Sequence, residues 1–492
     1  MRRKSLPVWE NSGVEKPECP TPEGTLMVKN VGRRPAKINM VCDETTLTPN
    51  AGLAVVAETV AVLGLIDALD SSIGPIKQRQ RGLSGGELLV SMAESMLVGG
   101  DFLCDLDTLR NDRAGARLRT VPNPPASTTA GELSRRFGPD HLAGIEAGLA
   151  QALHRSIRLM DDRQQQRLLG QRPTIDIDPT DVEVYGLDKQ PVGFNYAGVR
   201  CARPVPATWA QAGVALAAEL ISGDEDPCAA VAGLVARAVA ALPEGTLRPV
   251  IRVDAGLFDG KIAQAALDAG ADFAIAAKRN KAVWRSIRQT PEDAWKPAVG
   301  LEGGEVARIS YVPGGWPAGS WALARRVRVK AQDISTDPRA RRRRSIDPEQ
   351  LRLALGGDLD EVYAYSVIVT NLDWDPVSIE AWFRCPTQVE ERIIDSKAGM
   401  ALRHLPSGYA ATNAVWMWAA LTALNLLALM QALAQTDCDG RGRAHGKRLR
   451  RELLCLPGRV VNHAGQTTVR LAADREELVE AYRRIRALPV AA

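Results

Sequence analysis

The stretch Thr174-Ile175-Asp176-Ile177-Asp178-Pro179-Thr180 alternates apolar and acidic residues up to Asp178, and it restricts the fold more than any other segment. Successive side chains of a strand point to opposite faces, so Ile175 and Ile177 share one face and Asp176 and Asp178 the other. Such a strand buries one side and presents carboxylates on the opposite one. A second segment, Pro249-Val250-Ile251-Arg252-Val253-Asp254-Ala255-Gly256, reads as a short apolar strand ending in an acid and a turn-permitting Gly. A third acid lies in a helical pattern, Val389-Glu390-Glu391-Arg392-Ile393-Ile394-Asp395-Ser396-Lys397, where Glu390 and Lys397 stand two turns apart on one face. Two strand-end carboxylates and a helical one supply the hard oxygen ligands that a pair of Mg²⁺ ions needs, with positions left for phosphate and water. Asp176 competes with Asp178, because both lie on the same face, whereas Asp181 falls off it. Glu391 points about a quarter-turn from Glu390, and the spacing to Lys397 selects Glu390.

With 492 residues, 45% of them hydrophobic and 24% charged, the chain has material for two or three domains at ~100–200 residues each. Residues 1–45 are rich in Pro and Gly and read as a loose arm. Residues 46–165 are helical throughout, with apolar residues at helical spacing and a capping-box pattern at Thr129-Ala130-Gly131-Glu132. Several short helices with basic residues among them suit a DNA-gripping domain. From Arg172 the texture changes to strands over 173–186, 192–201 and 211–217, a helix over 227–241, the Asp254 strand, a helix over 258–269 and a strand over 272–277. This predicts an α/β fold, a mixed sheet flanked by helices with RNase H-like texture, in two parts at 166–280 and 376–435. Between them, 281–375 reads as a β-rich insertion with strands at 305–312, 321–330 and 361–370. Residues 436–492 form a basic C-terminal region.

Asp178-Pro179-Thr180, Arg252-Val253-Asp254-Ala255-Gly256 and the Glu390/Lys397 helix resemble the three acidic motifs of DDE transposases from bacterial insertion sequences, in the subgroup called transposase DDE domain, group 1. The likeness covers residues 40–435. It favours Asp178 over Asp176 as the first acid. It departs where a Tyr and an Arg precede the Glu, since Trp382 or Phe383 and Arg384 stand here at altered spacing. The resemblance implies an RNase H-like catalytic core with Asp178, Asp254 and Glu390 holding two Mg²⁺ ions, Mn²⁺ being able to substitute. It implies cleavage of element-end DNA and joining to target DNA, with Lys397, Arg384 and Arg392 on backbone phosphates. It also implies a homodimer on terminal inverted repeats, in the cytoplasm at the nucleoid. Trp316 and Trp321 in the insertion are candidates to hold a flipped base. The alternatives are a non-catalytic DNA-binding derivative and an RNase H-like nuclease without strand transfer.

The net charge of +4 predicts no partner by itself, but its distribution does. One basic run holds Arg339, Arg341, Arg342, Arg343 and Arg344; the other holds Arg441, Arg443, Lys447, Arg448, Arg450 and Arg451. Beside a metal-acid site such runs fit a phosphate backbone, and apart from it a solvated loop and a frayed tail. The eight cysteines form no C-x-x-C pair and read as reduced, mostly buried thiols of a cytosolic protein. Met1-Arg2-Arg3-Lys4 leads into Pro and polar residues, not into the apolar core of a signal peptide. Ala414–Ala434 is long and uncharged enough to span a membrane, but Thr422, Asn425 and Gln431 favour a buried central helix. Leu83-Ser84-Gly85-Gly86-Glu87 matches an ATPase signature that has meaning only with a P-loop, and the chain has none. The five histidines fall outside every acidic motif.

Overall fold

The computed structural model describes residues 41–79, 81–338, 340, 343–384, 399–436 and 445–491. Residues Thr45–Ala492 form one compact unit, so the helical segment and the strand-rich segments are layers around a shared core. The expected mixed sheet flanked by helices is the fold observed.

The strands are β1 (Leu47–Thr48), β2 (Thr174–Ile177), β3 (Val182–Glu183), β4 (Gly193–Phe194), β5 (Arg200–Trp209), β6 (Val214–Ser222) and β7 (Val250–Val253). They continue with β8 (Asp272–Ala276), β9 (Lys296–Pro297), β10 (Gly304–Ile309), β11 (Trp321–Lys330), β12 (Glu361–Thr370), β13 (Gly458–His463) and β14 (Gln466–Arg470). Eleven of them form one sheet, in the order β3-β5-β2-β7-β8-β12-β11-β10-β9, with β4 and β6 also paired to β5. The β2–β7 and β7–β8 pairs are parallel and the rest antiparallel. The strands of the expected insertion therefore extend the central sheet: Ile368–Thr370 of β12 pairs directly with Ala274–Ala276 of β8. The helices Pro227–Ala240 and Gly260–Asp268 pack on each other and on β6 and β8, burying Val231, Leu234, Ile262 and Ala266.

The helical layer begins with Leu53–Leu63 and Leu65–Ile73, separated at Gly64, whose φ of 60° is left-handed and interrupts the expected apolar periodicity. Ser84 and Glu87 form a capping box that starts Gly85–Leu97, which accounts for the ATPase-like motif as a helix N-terminus. A Cβ on Gly86 would lie 3.0 Å from the Ile66 carbonyl oxygen, so this glycine allows the two helices to approach. The box expected at Thr129 does not form. That helix starts earlier, at Ser127, whose amide and hydroxyl both donate to Asp107.

The helix Ala410–Ala434 is long and apolar enough to cross a membrane, yet 94% of its most apolar window is buried inside the protein. Its polar residues serve internal contacts. Asn425 accepts from the Ala215 amide at 2.8 Å and donates to the Ala215 carbonyl at 2.9 Å, pinning the helix to β6. Asn413 likewise donates to the carbonyls of Gln190 and Ser407.

Three further readings change. The strand expected at 192–201 is instead β4 followed by the longer β5, whose Pro204 and Pro206 weaken its sequence signal. The C-terminal region carries the β13–β14 hairpin, paired through β13 to β1, and the helix Glu476–Arg486. Of the five described cysteines only Cys201 is buried, while Cys42 and Cys104 are exposed.

Glu94 carries a pH-dependent stability. It is 1% exposed on Gly85–Leu97, and burial pushes its carboxyl up to about 7 against the pull of hydrogen bonds from Thr120 and the charge of Arg119. Its Oε1 accepts from the Thr120 amide at 2.9 Å, and its Oε2 has no partner. Between the ordinary value of 4.5 and about 7, the folded state holds a proton that the unfolded state has released. The associated stability is complete below that window and declines as pH rises through it. Glu94→Gln removes the cost of ionisation, so its stability relative to wild type should rise between about pH 5 and pH 8, by up to about 3 kcal/mol. Parallel denaturation-midpoint profiles for the two proteins would refute this.

Candidate active site

β2 and β7 run parallel with Ile177 opposite Val253, so the next residues, Asp178 and Asp254, leave neighbouring strands at the same carboxyl edge. Adjacent strands lie ~4.8 Å apart, and this edge is where open α/β sheets bind ligands. Asp254 is extended (φ −76°, ψ 167°) and exposed, and a short turn at Ala255–Leu257 follows it. Asp178 is half-buried. Two residues on, the Thr180 amide donates to the Pro204 carbonyl at 3.0 Å and fixes the exit from β2. The two aspartates line an open cleft of about 260 Å³ together with Arg252, Arg325, Glu380 and Arg384.

The same register sets Asp176 opposite Arg252. Arg252 Nε donates to Asp176 Oδ1 at 2.6 Å and Nη2 donates to Oδ2 at 2.9 Å, with both side chains buried. Burial pushes the Asp176 carboxyl above its ordinary range, while the hydrogen bonds and charge of Arg252 act the other way. Arg252 Nη1 also donates to the Trp382 carbonyl at 2.9 Å, and the guanidinium lies 5.0 Å from the Trp382 ring centroid. The ion pair thus anchors the helix Pro376–Arg384 near the end of β7. Asp181, off the acidic face, pairs with Arg203 at 2.7 Å.

Glu390, Arg392 and Lys397 lie outside the described residues, as do Arg341 and Arg342. Among the described residues no group of three His, Cys, Asp or Glu side chains could hold a metal, so the two aspartates do not make a complete site by themselves. Arg384 ends its helix in the cleft, its Nε donating to Glu380 Oε1 at 3.0 Å and its Nη2 to the Val299 carbonyl. Arg343 donates to the carbonyls of Ser335 and Thr336, and Arg344 is exposed; neither lines the cleft.

The second basic cluster divides by role. Arg450 donates to the Met96 and Leu97 carbonyls, closing the C-terminal end of Gly85–Leu97, and to the Gly399 carbonyl. Arg448 and Arg451 both pair with Glu452. The tryptophans of the expected insertion are engaged within the fold. Trp321 donates to the Leu372 carbonyl at 2.8 Å, and Trp316 packs on Phe258 and Phe273 at 4.8 and 5.8 Å between ring centroids.

Sequence reasoning missed Arg325, Ser366 and Glu380. Arg325 and Ser366 are register partners on β11 and β12, and Glu380 meets Arg325 across 55 residues of chain. No local pattern marks such a cluster.

No curated protein matches the chain. Among solved structures, it is similar to the cryo-EM structure of the piggyBac transposase synaptic complex with hairpin DNA, with 9% identity and a TM-score of 0.38 over 82% of this chain and 79% of that one. The family model described as transposase DDE domain group 1 matches residues 32–490. That match spans nearly the whole chain, including both strand-end aspartates and the helix beyond them, and the chain belongs to the transposase DDE domain group 1 family.

Proposed function

We propose that this protein cleaves DNA at the ends of its own mobile element and joins those ends to target DNA by in-line displacement at phosphorus. The observation that carries this reading is the parallel β2–β7 register, which sets Asp178 and Asp254 side by side at the mouth of a cleft also lined by arginines. The strand order β6-β5-β2-β7-β8, parallel only across its last three members, supports an RNase H-like core.

The donor chemistry fits divalent metal. Asp178 and Asp254 both place hard carboxylate oxygens at the cleft, and Asp176 is bound through both its oxygens to Arg252. Asp178, Asp254 and, in this reading, Glu390 would hold two Mg²⁺ ions, with Mn²⁺ able to substitute. When bound, the pair supplies activation of the attacking oxygen and stabilisation of the leaving 3′-oxygen. The protein orients the strand: Arg384 in the cleft holds backbone phosphates, and Arg392 and Lys397 are assigned the same role in this reading. Terminal inverted repeats and target DNA are the partners, two ends meet on a homodimer, and the work is done at the nucleoid in the cytoplasm.

A joining assay tests this against a DNA-binding derivative and against a nuclease. Precut duplexes carrying the inverted repeats that flank the coding sequence should be joined to plasmid in Mg²⁺ or Mn²⁺. Joining should fail in Ca²⁺, whose larger, looser coordination sphere fits in-line geometry poorly. Cleavage without joining would leave the nuclease; binding with neither would leave the DNA-binding derivative.

A further inference from the structure

We propose that Glu380 is a positioning residue that yokes Arg325 and Arg384 into one phosphate-binding pair for the DNA strand in the cleft. This rests on the reading of the site as a DNA strand-transfer centre, and it adds two residues that no acidic motif contains.

Glu380 is 2% exposed, although it lines the cleft with Asp178 and Asp254. Its Oε1 accepts from Arg325 Nη1 and Arg384 Nε, both at 3.0 Å. Arg325 is held from a second side, Nη2 donating to Ser366 Oγ at 3.1 Å across the β11–β12 ladder. Arg384 is held by the Val299 carbonyl. Each guanidinium has five donors in a planar fork suited to phosphate, and Glu380 takes one from each. Each arginine side chain keeps about a quarter of its exposure (25% and 27%).

A network built only to tie helix to sheet would satisfy its buried atoms. Here Glu380 Oε2 and Arg325 Nε are both buried without a partner. Leaving a buried polar group unpaired is destabilising, and more so when the group is charged. The charges also do not balance, since one carboxylate faces two guanidinium groups. The three-residue network itself carries +1, beside the carboxylates of Asp178 and Asp254 that line the same cleft, while Asp176 and Arg252 neutralise each other. A phosphodiester would balance the charge of this three-residue network and offer acceptors to its guanidinium N–H groups, while Glu380, itself an acceptor, stays committed through Oε1 to holding the two arginines. The carboxylate keeps the two forks from repelling each other apart, so that they meet one phosphate as a preset pair.

Phosphorothioate substitution separates this role from a structural one. Duplexes carrying the inverted repeat would hold a single Rp or Sp phosphorothioate at the scissile position or at either neighbour. Wild-type cleavage should discriminate Rp from Sp at one of these phosphates. Glu380→Gln, nearly isosteric, should lower the cleavage rate on the order of 10²-fold. Its duplex affinity should stay within about twofold, since the other phosphate contacts remain, and the stereochemical discrimination should vanish. Arg325→Lys keeps the charge and the ion pair but removes the fork, so it should lose the same discrimination whether or not the Gln variant folds well. Retention of wild-type discrimination in Arg325→Lys, or in folded Glu380→Gln, overturns the proposal. Failure of the wild-type protein to cleave any such duplex instead overturns the functional reading itself, and this inference with it.

Discussion

Replacing Asp178 or Asp254 with Ala should abolish strand cleavage while leaving binding of the terminal-repeat duplex nearly intact. Each change removes a proposed metal-ligand carboxylate at the carboxyl edge of β2 or β7 and deletes no basic contact to DNA. A metal site contributes several kcal/mol of charge stabilisation in the transition state, and each 1.36 kcal/mol is tenfold in rate, so the expected loss is about 10³-fold or more. Both side chains stand at a strand exit, Asp254 exposed and Asp178 half-buried, so folding should be little affected. Electrophoretic mobility shifts and cleavage of the same labelled duplex give the two readouts together. Glu390→Ala, removing the proposed third acid, should match them. Cleavage surviving in any of the three would show that a different carboxylate does the work.

The two aspartates were legible because each carries its own strand signature within a few residues: alternation before Asp178, an apolar run before Asp254. The long strand Glu361–Thr370 was legible because it is rich in β-branched and aromatic residues, and Trp321–Lys330 through the alternation of its Val327-Arg328-Val329-Lys330 end. Their membership in the central sheet was not. That depends on Ile368 meeting Ala276, a pairing between segments 92 positions apart that no local period encodes. β5 was displaced in the reading by Pro204 and Pro206, which a strand tolerates at irregular places; the β5–β6 register shifts at Ala207/Thr208. The short helix Lys281–Gln289 was missed among the Gly- and Pro-rich stretches, although Asn280 caps it and Val283, Trp284 and Ile287 bury one face. The site divides along the same line. What a single strand displays can be read from sequence, whereas what two strands make together, such as Asp176 with Arg252 or Arg325 with Glu380, needs the register.

That division gives the last expected result its sign. From sequence alone, Asp176 and Asp178 are near equivalents on one strand face, and loss of the non-ligand should be the milder change. For activity per folded molecule this still holds, because Asp176 has both oxygens committed to Arg252. For stability the order reverses. Asp176→Ala leaves the Arg252 guanidinium, itself 7% exposed, without its counter-charge between β2, β7 and Trp382. Breaking one partner of a buried ion pair costs about 3–5 kcal/mol, because the surviving charge stays desolvated. Removing the exposed carboxylate of Asp254 leaves no buried charge behind and should change stability by no more than about 0.5 kcal/mol. Arg252→Met together with Asp176→Leu would remove both charges and fill the volume, so the double change should recover much of what Asp176→Ala loses. Urea denaturation of the four proteins decides the matter. If Asp176→Ala unfolds at the same midpoint as Asp254→Ala, the pair is not what joins β2, β7 and the Trp382 helix. If it unfolds much earlier and the double variant does not, the acid beside the candidate ligand is there to hold the strand that carries it.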